Sequence, residues 1–427
     1  MNWAEIQKKA DFLSSAVFIS EKNMKAYERF LSYAIIDTQS AEGAESVPST
    51  KKQLELCRLL KKEMEELGLE RVYMSDTGYV YGFLPASEGM ESEPVMGLIA
   101  HVDTAPDFSG HDVRTLIHQG YNGRDISLGF SGLVLSPSQF PDLKDCLGHT
   151  LITTDGNSLL GADDKAGIAE IMTACERIVK EGLPHCAIAL CFTPDEEIGH
   201  GAELLELERL GADFAYTLDG DAVNELSYET FNAASAKISV KGVNVHPGSA
   251  KDIMVNAALV AMEINSMLPE NEIPAETENY EGFFHLTDMQ GTVEKAELKY
   301  IIRDHDAAKF MRRCQLLSGA VELMNYKYGE DTASIEITAQ YRNMAEILAD
   351  KMEIVEKARD AIKKAGMEPE LRPIRGGTDG AQLSFRGLPC PNLGTGGFGF
   401  HGPYEHITVE NMEKAVEVIL NLAACGK

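Results

Sequence analysis

The chain has 427 residues, 44% of them apolar, enough for two cores, because a single core rarely grows beyond roughly 250 to 300 residues. Its 67 acidic against 39 basic residues leave a formal charge of −28. A polyanion of that size repels phosphate backbones and anionic lipid, which argues against nucleic acid or a membrane surface as a partner.

Near the N-terminus, Glu5, Lys8, Lys9 and Asp11 precede an apolar run at residues 16–19 that is too short for a signal core. No uncharged apolar stretch reaches the ~20 residues of a membrane span. The eight cysteines are scattered, with no CxxC pair, as expected in a reducing compartment. A cytoplasmic location is the expectation. Residues 24–34 and 51–67 carry apolar positions at helical spacing, the second run opening with Thr50 and Gln53 placed as a capping box. Short apolar runs at 71–74 and 79–84 lead to residues 95–100, which read as a buried strand ending at His101. A helix is expected over 164–183, with Ile168, Ile171, Met172, Cys175, Ile178 and Val179 on one face. Strands are expected over 186–193 and 214–218, and the alternation of strand and helix predicts an α/β domain.

From about residue 235 to 342 the pattern becomes strand 236–242, helix 255–268, strands 283–286 and 296–303, helix 307–328 and strand 333–340. That order, βαββαβ, is the split arrangement of a ferredoxin-like module. Helices over 349–365 and 409–424 then return to the first domain. The expected organisation is a discontinuous α/β domain, 1–232 and 343–427, carrying an inserted α+β ferredoxin-like domain over 233–342.

His101 and Asp103, two residues apart at a strand end, project from the same side. An imidazole there can bind a metal while the carboxylate orients a neighbour, although a lone histidine at a strand end is as often a hydrogen-bonded structural residue. In Gly161-Ala162-Asp163-Asp164-Lys165, Asp164 is suited to cap the following helix. Asp163 is then spare, in a glycine-flanked turn able to face two cations. Glu196 and Glu197 lie in a turn bounded by Pro194 and Gly199, which lets neighbours converge, one on a metal and one free to take a proton; the ordinary alternative is a solvated acidic turn. Asp219 ends another strand, and His401 lies in a glycine-rich loop. Two His, two Asp and one Glu are the inventory of a two-zinc site with one bridging carboxylate.

The segments HVDTAPD, TLITTDG, LLGADDKAGIAEIM, FTPDEEIG, FNAAS, NVHPG, MVNA, GTVEKA, YIIRD, PIRGGTDGAQLS and GLPCPN follow one another in this order. With them the sequence resembles the M20 family of co-catalytic zinc peptidases and, within it, the tripeptide aminopeptidases. The resemblance implies a zinc-exopeptidase-like catalytic domain holding two zinc ions per subunit, an inserted lid, small peptides as substrate, and compatibility with a homodimer formed through the lid. By the same resemblance His101 and Asp219 hold one zinc, Glu197 and His401 the other, and Asp163 bridges. Glu196 is the general base, and Asp103 orients His101 through its second ring nitrogen. In the lid, His246 polarises the scissile carbonyl. Arg303, from the lid, and Arg375, from the catalytic domain, receive the peptide's free carboxylate, with Asn256 as a further substrate contact.

His406 competes with His401 as ligand; His401 is preferred because it follows the glycine turn with Glu405 four residues on, as in the family pattern. The first 23 residues precede that pattern and receive no catalytic role, and the loop 393–406 departs from it. The implied activity is release of the N-terminal residue from tripeptides by attack of metal-activated water. The nearest alternative is another M20-type hydrolase acting on dipeptides or N-acyl amino acids. The match of Gly394, Gly396 and Gly399 to GxGxxG lacks the following helix that a dinucleotide site needs. A non-catalytic metal scaffold leaves Glu196 without a purpose.

Overall fold

Strand Met96–His101 is buried at all six positions, as befits a parallel strand covered on both faces. It pairs in parallel with Ile188–Thr193, His101 opposite Thr193, and on its other side with Phe214–Gly220. These three form the centre of an eight-stranded sheet. Its order is Glu70–Met74, Val80–Leu84, Ile188–Thr193, Met96–His101, Phe214–Gly220, Asn392–Gly394, Glu225–Ser227 and Glu370–Leu371. Three parallel carboxyl ends therefore lie side by side, the place where open α/β sheets put their ligands. This computed structural model describes residues 23–424. The N-terminal segment weighed above as a signal and Cys425 lie outside the described residues.

Helix Ala162–Glu181 packs on this sheet and between helices Ala26–Ala34 and Val409–Ala423, so it is buried on more than one side. Gly167 makes the close approach to the strand Phe214–Gly220: a Cβ there would meet the Leu218 carbonyl oxygen at 2.3 Å. Ile168, Ile171, Met172, Cys175 and Ile178 are buried as expected, but Val179 is 41% exposed. The apolar stripe ends one residue earlier than its periodicity predicts. A second difference concerns helix Gln53–Glu66, which has no side-chain cap. Gln53 is fully buried, and its Nε2 donates to Asp195 Oδ1 at 2.6 Å. Tertiary demand has taken the side chain that a capping box would have used.

The ferredoxin-like order is realised. Strands Asn232–Lys241, Phe283–Gly291, Lys295–Asp304 and Ala333–Tyr341 form an antiparallel sheet in which the first strand lies between the third and the fourth, with the second at the edge. Helices Ala257–Ser266 and Ala307–Tyr328 cover it through a core that includes Ile238, Val260, Ile264, Leu298, Ile302, Leu317 and Met324. The chain divides into two compact units: residues 23–227, Ile347–Leu371 and 378–424 in one, Tyr228–Glu346 and Arg372–Gly377 in the other. Arg375, expected in the catalytic domain, thus belongs to the second unit. The reason is local, since the neighbouring Ile374 bridges to Thr230 and Phe231 N–H donates to the Gly376 carbonyl.

A small sheet of Gly397–Phe398, His406–Thr408, Leu151–Thr154 and Thr115–His118 has no counterpart in the sequence reading; its strands are too short to show a period. The seven described cysteines are buried. Burial pushes the thiols of Cys57, Cys146 and Cys175 up to about 12. Among the described residues no helix is long and apolar enough to cross a membrane.

Candidate metal centre

Every side chain of the centre is delivered by a strand end or a tight turn of the first unit. His101 ends its strand with Nδ1 3.0 Å from the Asp103 carbonyl oxygen and 3.4 Å from Asp103 Oδ1. Its Nε2 lies 2.9 Å from Asp163 Oδ1 and 3.4 Å from Asp219 Oδ1. Asp163 sits in non-helical backbone where helix Ala162–Glu181 begins, and its peptide bond to Asp164 is cis. The other oxygen of Asp163, Oδ2, is 3.4 Å from His401 Nε2, which in turn is 3.0 Å from Glu197 Oε2. One carboxylate thus faces both imidazoles, with Asp219 beside the first and Glu197 beside the second. Ligand atoms of His101, Asp163 and Glu197 lie within 4.8 Å of one another.

Glu196 and Glu197 occupy the one-turn 3-10 helix Glu196–Ile198, set between left-handed residues Asp195 (φ 58°) and Gly199 (φ 80°). Asp103 fixes that turn by accepting from Glu196 N–H at 3.0 Å and Glu197 N–H at 3.2 Å. Asp195 anchors it from behind, accepting from the Ser49 amide, the Ser49 hydroxyl and Gln53 Nε2. Neither contact of Asp195 has a local sequence signature, because Ser49 and Gln53 are more than 140 residues away. Asp164 also lies within 4.8 Å of His101 and Asp219. Its two oxygens, however, accept from His101 N–H and Gly167 N–H, so it caps the helix and pins the strand end. His406 is buried with Nε2 2.6 Å from Asp142 Oδ2 and Nδ1 2.8 Å from the Tyr404 carbonyl oxygen, whereas His401 meets the cluster.

Four carboxylates (Asp103, Asp163, Asp219 and Glu197) share two imidazoles with Glu196 beside them, and among the described residues no Lys or Arg forms an ion pair with any of the five. The consequences are visible in the ionisation of the groups. Burial pushes Asp219 up to about 6, and burial with the Asp163 charge pushes Glu197 up to about 8. Burial and Asp219 hold Glu196 well above the usual carboxylate range. Hydrogen bonds to Asp163 and Glu197 raise His401 to about 11. Burial alone would raise Asp163, but the two imidazoles hold it below its ordinary value. Glu197 Oε1 is buried with no hydrogen-bond partner, a costly state for a carboxylate oxygen. Surplus negative charge and an orphaned oxygen, on a set of imidazole and carboxylate donors, fit multivalent cations.

Residues 154–424 match peptidase family M20/M25/M40. The chain belongs to that family. Its similarity to curated relatives is near full length. It is 52% identical over 404 residues to the Peptidase T of Alkaliphilus oremlandii, covering 94% of this chain and 98% of the relative. To the Peptidase T of Clostridium perfringens it is 53% identical over 399 residues, 93% and 98% of the two chains. Among solved structures the fold is similar to aminopeptidase PepT from Bacillus cereus, with a TM-score of 0.74 at 24% identity over 94% and 97% of the chains. It is also similar to a dinuclear metal-binding M20 peptidase from Bacillus subtilis, with a TM-score of 0.61 at 15% identity over 93% and 96%.

The remaining expected residues of this M20 peptidase all lie in its second unit. His246 is exposed, and its Nδ1 accepts from Gly248 N–H. Asn256 caps helix Ala257–Ser266, accepting from the amides of Ala258 and Leu259, so its side-chain carbonyl is engaged in ordering the chain. Arg303 lies over the Tyr341 ring, and its Nη1 donates to the carbonyls of Ala234 and Ile302. Arg375 is more fully engaged: Nη1 donates to the carbonyls of Asn279 and Glu281, and Nη2 to the carbonyl and hydroxyl of Thr277. All four terminal N–H groups are in use. The fork expected to receive a carboxylate instead organises residues 277–281 of its own unit.

Proposed function

We propose that this M20 peptidase is a two-metal aminopeptidase that releases the N-terminal residue from tripeptides. The observation that carries the reading is Asp163, one carboxylate turned toward both imidazoles, beside a glutamate pair of which only Glu197 has a ring for a partner. Relatives of 52–53% identity that bear the name Peptidase T support the substrate class. In this reading His101 and Asp219 would hold one cation, Glu197 and His401 the other, with Asp163 between the two pairs, and zinc is the proposed ion on this N/O donor set. The buried free thiols of Cys57, Cys175, Cys191 and Cys390 support a cytoplasmic setting.

Cations bound there would supply Lewis acidity that draws the pKa of a water molecule toward neutrality. The chain's own residues do the rest. Glu196, whose carboxylate has no hydrogen-bond partner among the described residues, takes the proton of that water as its oxygen attacks the peptide carbonyl. It then returns the proton to the departing amine nitrogen. Burial favours the protonated form of Glu196 between those two events. Asp103 holds His101 and, through the amides of Glu196 and Glu197, keeps base and ligand in fixed relation. His246 is assigned to the developing charge on the carbonyl oxygen and Arg303 to the free carboxylate. Asn256 and Arg375 act through the segments they order.

A length series of peptides from two to four residues, each as acid and as C-terminal amide, tests the reading. Tripeptide acids should be the best substrates. Amidation should lower kcat/KM by roughly 30-fold to several thousand-fold, the 2 to 5 kcal/mol typical of losing one partner of a desolvated charge pair. Equal hydrolysis of acid and amide overturns the tripeptidase reading. Better turnover of dipeptides or N-acyl amino acids replaces it with another M20 hydrolase.

A further inference from the structure

One buried carboxylate near the centre holds no imidazole and takes no part in the chemistry above. Glu405 is 1% exposed. Its Oε2 accepts from the amides of Leu160 at 2.6 Å and Gly161 at 2.8 Å, and its Oε1 from the amide of Asp163 at 3.0 Å. Three main-chain donors from one turn converge on a single side chain more than 240 residues away in sequence. Those donors belong to the entrance of helix Ala162–Glu181, where amides lack intrahelical partners. The turn needs left-handed backbone at Gly161 (φ 74°), and Asp164, the nearest acid, is occupied with His101 and Gly167.

Glu405 also stands four residues beyond His401. Its own amide donates to the Gly402 carbonyl at 3.4 Å, so the loop closes on itself between the histidine and the glutamate. The carboxylate end of this loop grips the amide of Asp163, while the histidine end lies 3.4 Å from Asp163 Oδ2. The turn with the bridging carboxylate and the loop with the second imidazole are therefore clamped together at two points.

We infer that Glu405 is a positioning residue: a buried strut that sets the spacing between Asp163 and His401, and through it the affinity for the second cation. This rests on the two-metal reading above. A glutamine in its place keeps the shape but presents an amide nitrogen to main-chain N–H groups, so at least one of the three bonds is lost. Groups that orient ligands from behind typically govern 10- to 100-fold in metal affinity or activity. Because the strut ties the His401 loop to the turn of the shared Asp163, the larger loss should fall on the cation that His401 would hold.

The experiment is a cobalt(II) titration of metal-free full-length chain, parent and Glu405→Gln, followed by visible absorption and by metal analysis. Tripeptide kcat and KM and the thermal midpoint of the metal-free chains are measured in parallel. The parent should take two equivalents. In the variant the second should bind about 10- to 100-fold more weakly with an altered ligand-field spectrum, and kcat should fall more than KM rises. A variant that is less heat-stable but keeps the parent's two-cobalt spectrum and kcat would show Glu405 to be structural only, and overturns the inference. Should the glutamine variant not fold, Glu405→Asp, which keeps the charge on a shorter stem, is judged by the same spectrum. A parent that binds no metal or cleaves no peptide refutes the function itself, an outcome distinct from a normal variant of an active parent.

Discussion

Two clusters of buried charge lie in the same unit and are built on opposite terms. Around Arg29, which is 4% exposed, the guanidinium donates to Glu63 at 3.0 Å, to Glu176 at 3.2 Å and to Thr173 Oγ1 at 2.9 Å. Tyr33 adds a bond to Glu63, and Lys180 one to Glu176. Two carboxylates meet two cations, and each has its donors. Around His101 four carboxylates meet two imidazoles with Glu196 beside them, and Glu197 Oε1 has no partner. The first cluster is complete as folded and can only hold helices together. The second carries a deficit of positive charge that no Lys or Arg among the described residues makes up, and such deficits mark sites that bind and react.

The sharpest break of that contrast is metal removal. Chelation should abolish peptide hydrolysis, and added zinc, cobalt or manganese should restore it. Full activity in a preparation shown by elemental analysis to be metal-free would end the two-metal proposal. Next in size, Glu196→Gln should lower kcat by the ~10² to 10⁴ of a lost general base while both metals stay bound. Glu197→Gln should instead lose metal. Similar metal contents in the two variants would remove the distinction drawn between adjacent glutamates. Arg29→Ala should cost about 3 to 5 kcal/mol, because it leaves Glu63 and Glu176 buried with too few partners. The urea midpoint of the metal-free chain reads that loss, and kcat per folded molecule should hold to within about twofold. An unchanged midpoint would mean that the complete cluster is no tie at all. The smallest effect belongs to Val179→Ser, expected within about 0.5 kcal/mol because the position faces solvent; a larger loss would restore Val179 to the core face where periodicity put it.

Much of this architecture was legible because long elements advertise their period. The βαββαβ order of the second unit and the central strands that end at His101, Thr193 and Gly220 are long enough to show alternation or a continuous apolar run. The residues that meet at the centre were visible as polar side chains stranded at the ends of those strands. What stayed hidden is of a different kind. Glu405 acts through amides of residues 160, 161 and 163, and backbone donors leave no mark in composition; the hint was its place four residues after His401, which spoke for the histidine and not for what the acid itself holds. Gln53 looked like a local cap but serves Asp195, and Arg375 looked like a free cation but bonds to carbonyls of residues 277–281. In both cases a side chain capable of a local or functional bond had been claimed by a distant loop, which spacing does not reveal.

The seven buried thiols offer a consequence of a practical sort. Only the thiolate reacts readily with alkylating reagents; all seven are shielded, and burial raises the pKa of Cys57, Cys146, Cys175, Cys191, Cys314 and Cys390. Labelling of the described cysteines should therefore proceed only when the fold opens. Mass-resolved alkylation becomes a clock with several hands: Cys57, Cys175 and Cys191 report on the helices and sheet that carry the metal centre, Cys314 on the ferredoxin-like unit. If the two units open independently, Cys314 will be modified on its own schedule, and the order in which the masses appear will say which half of the protein yields first.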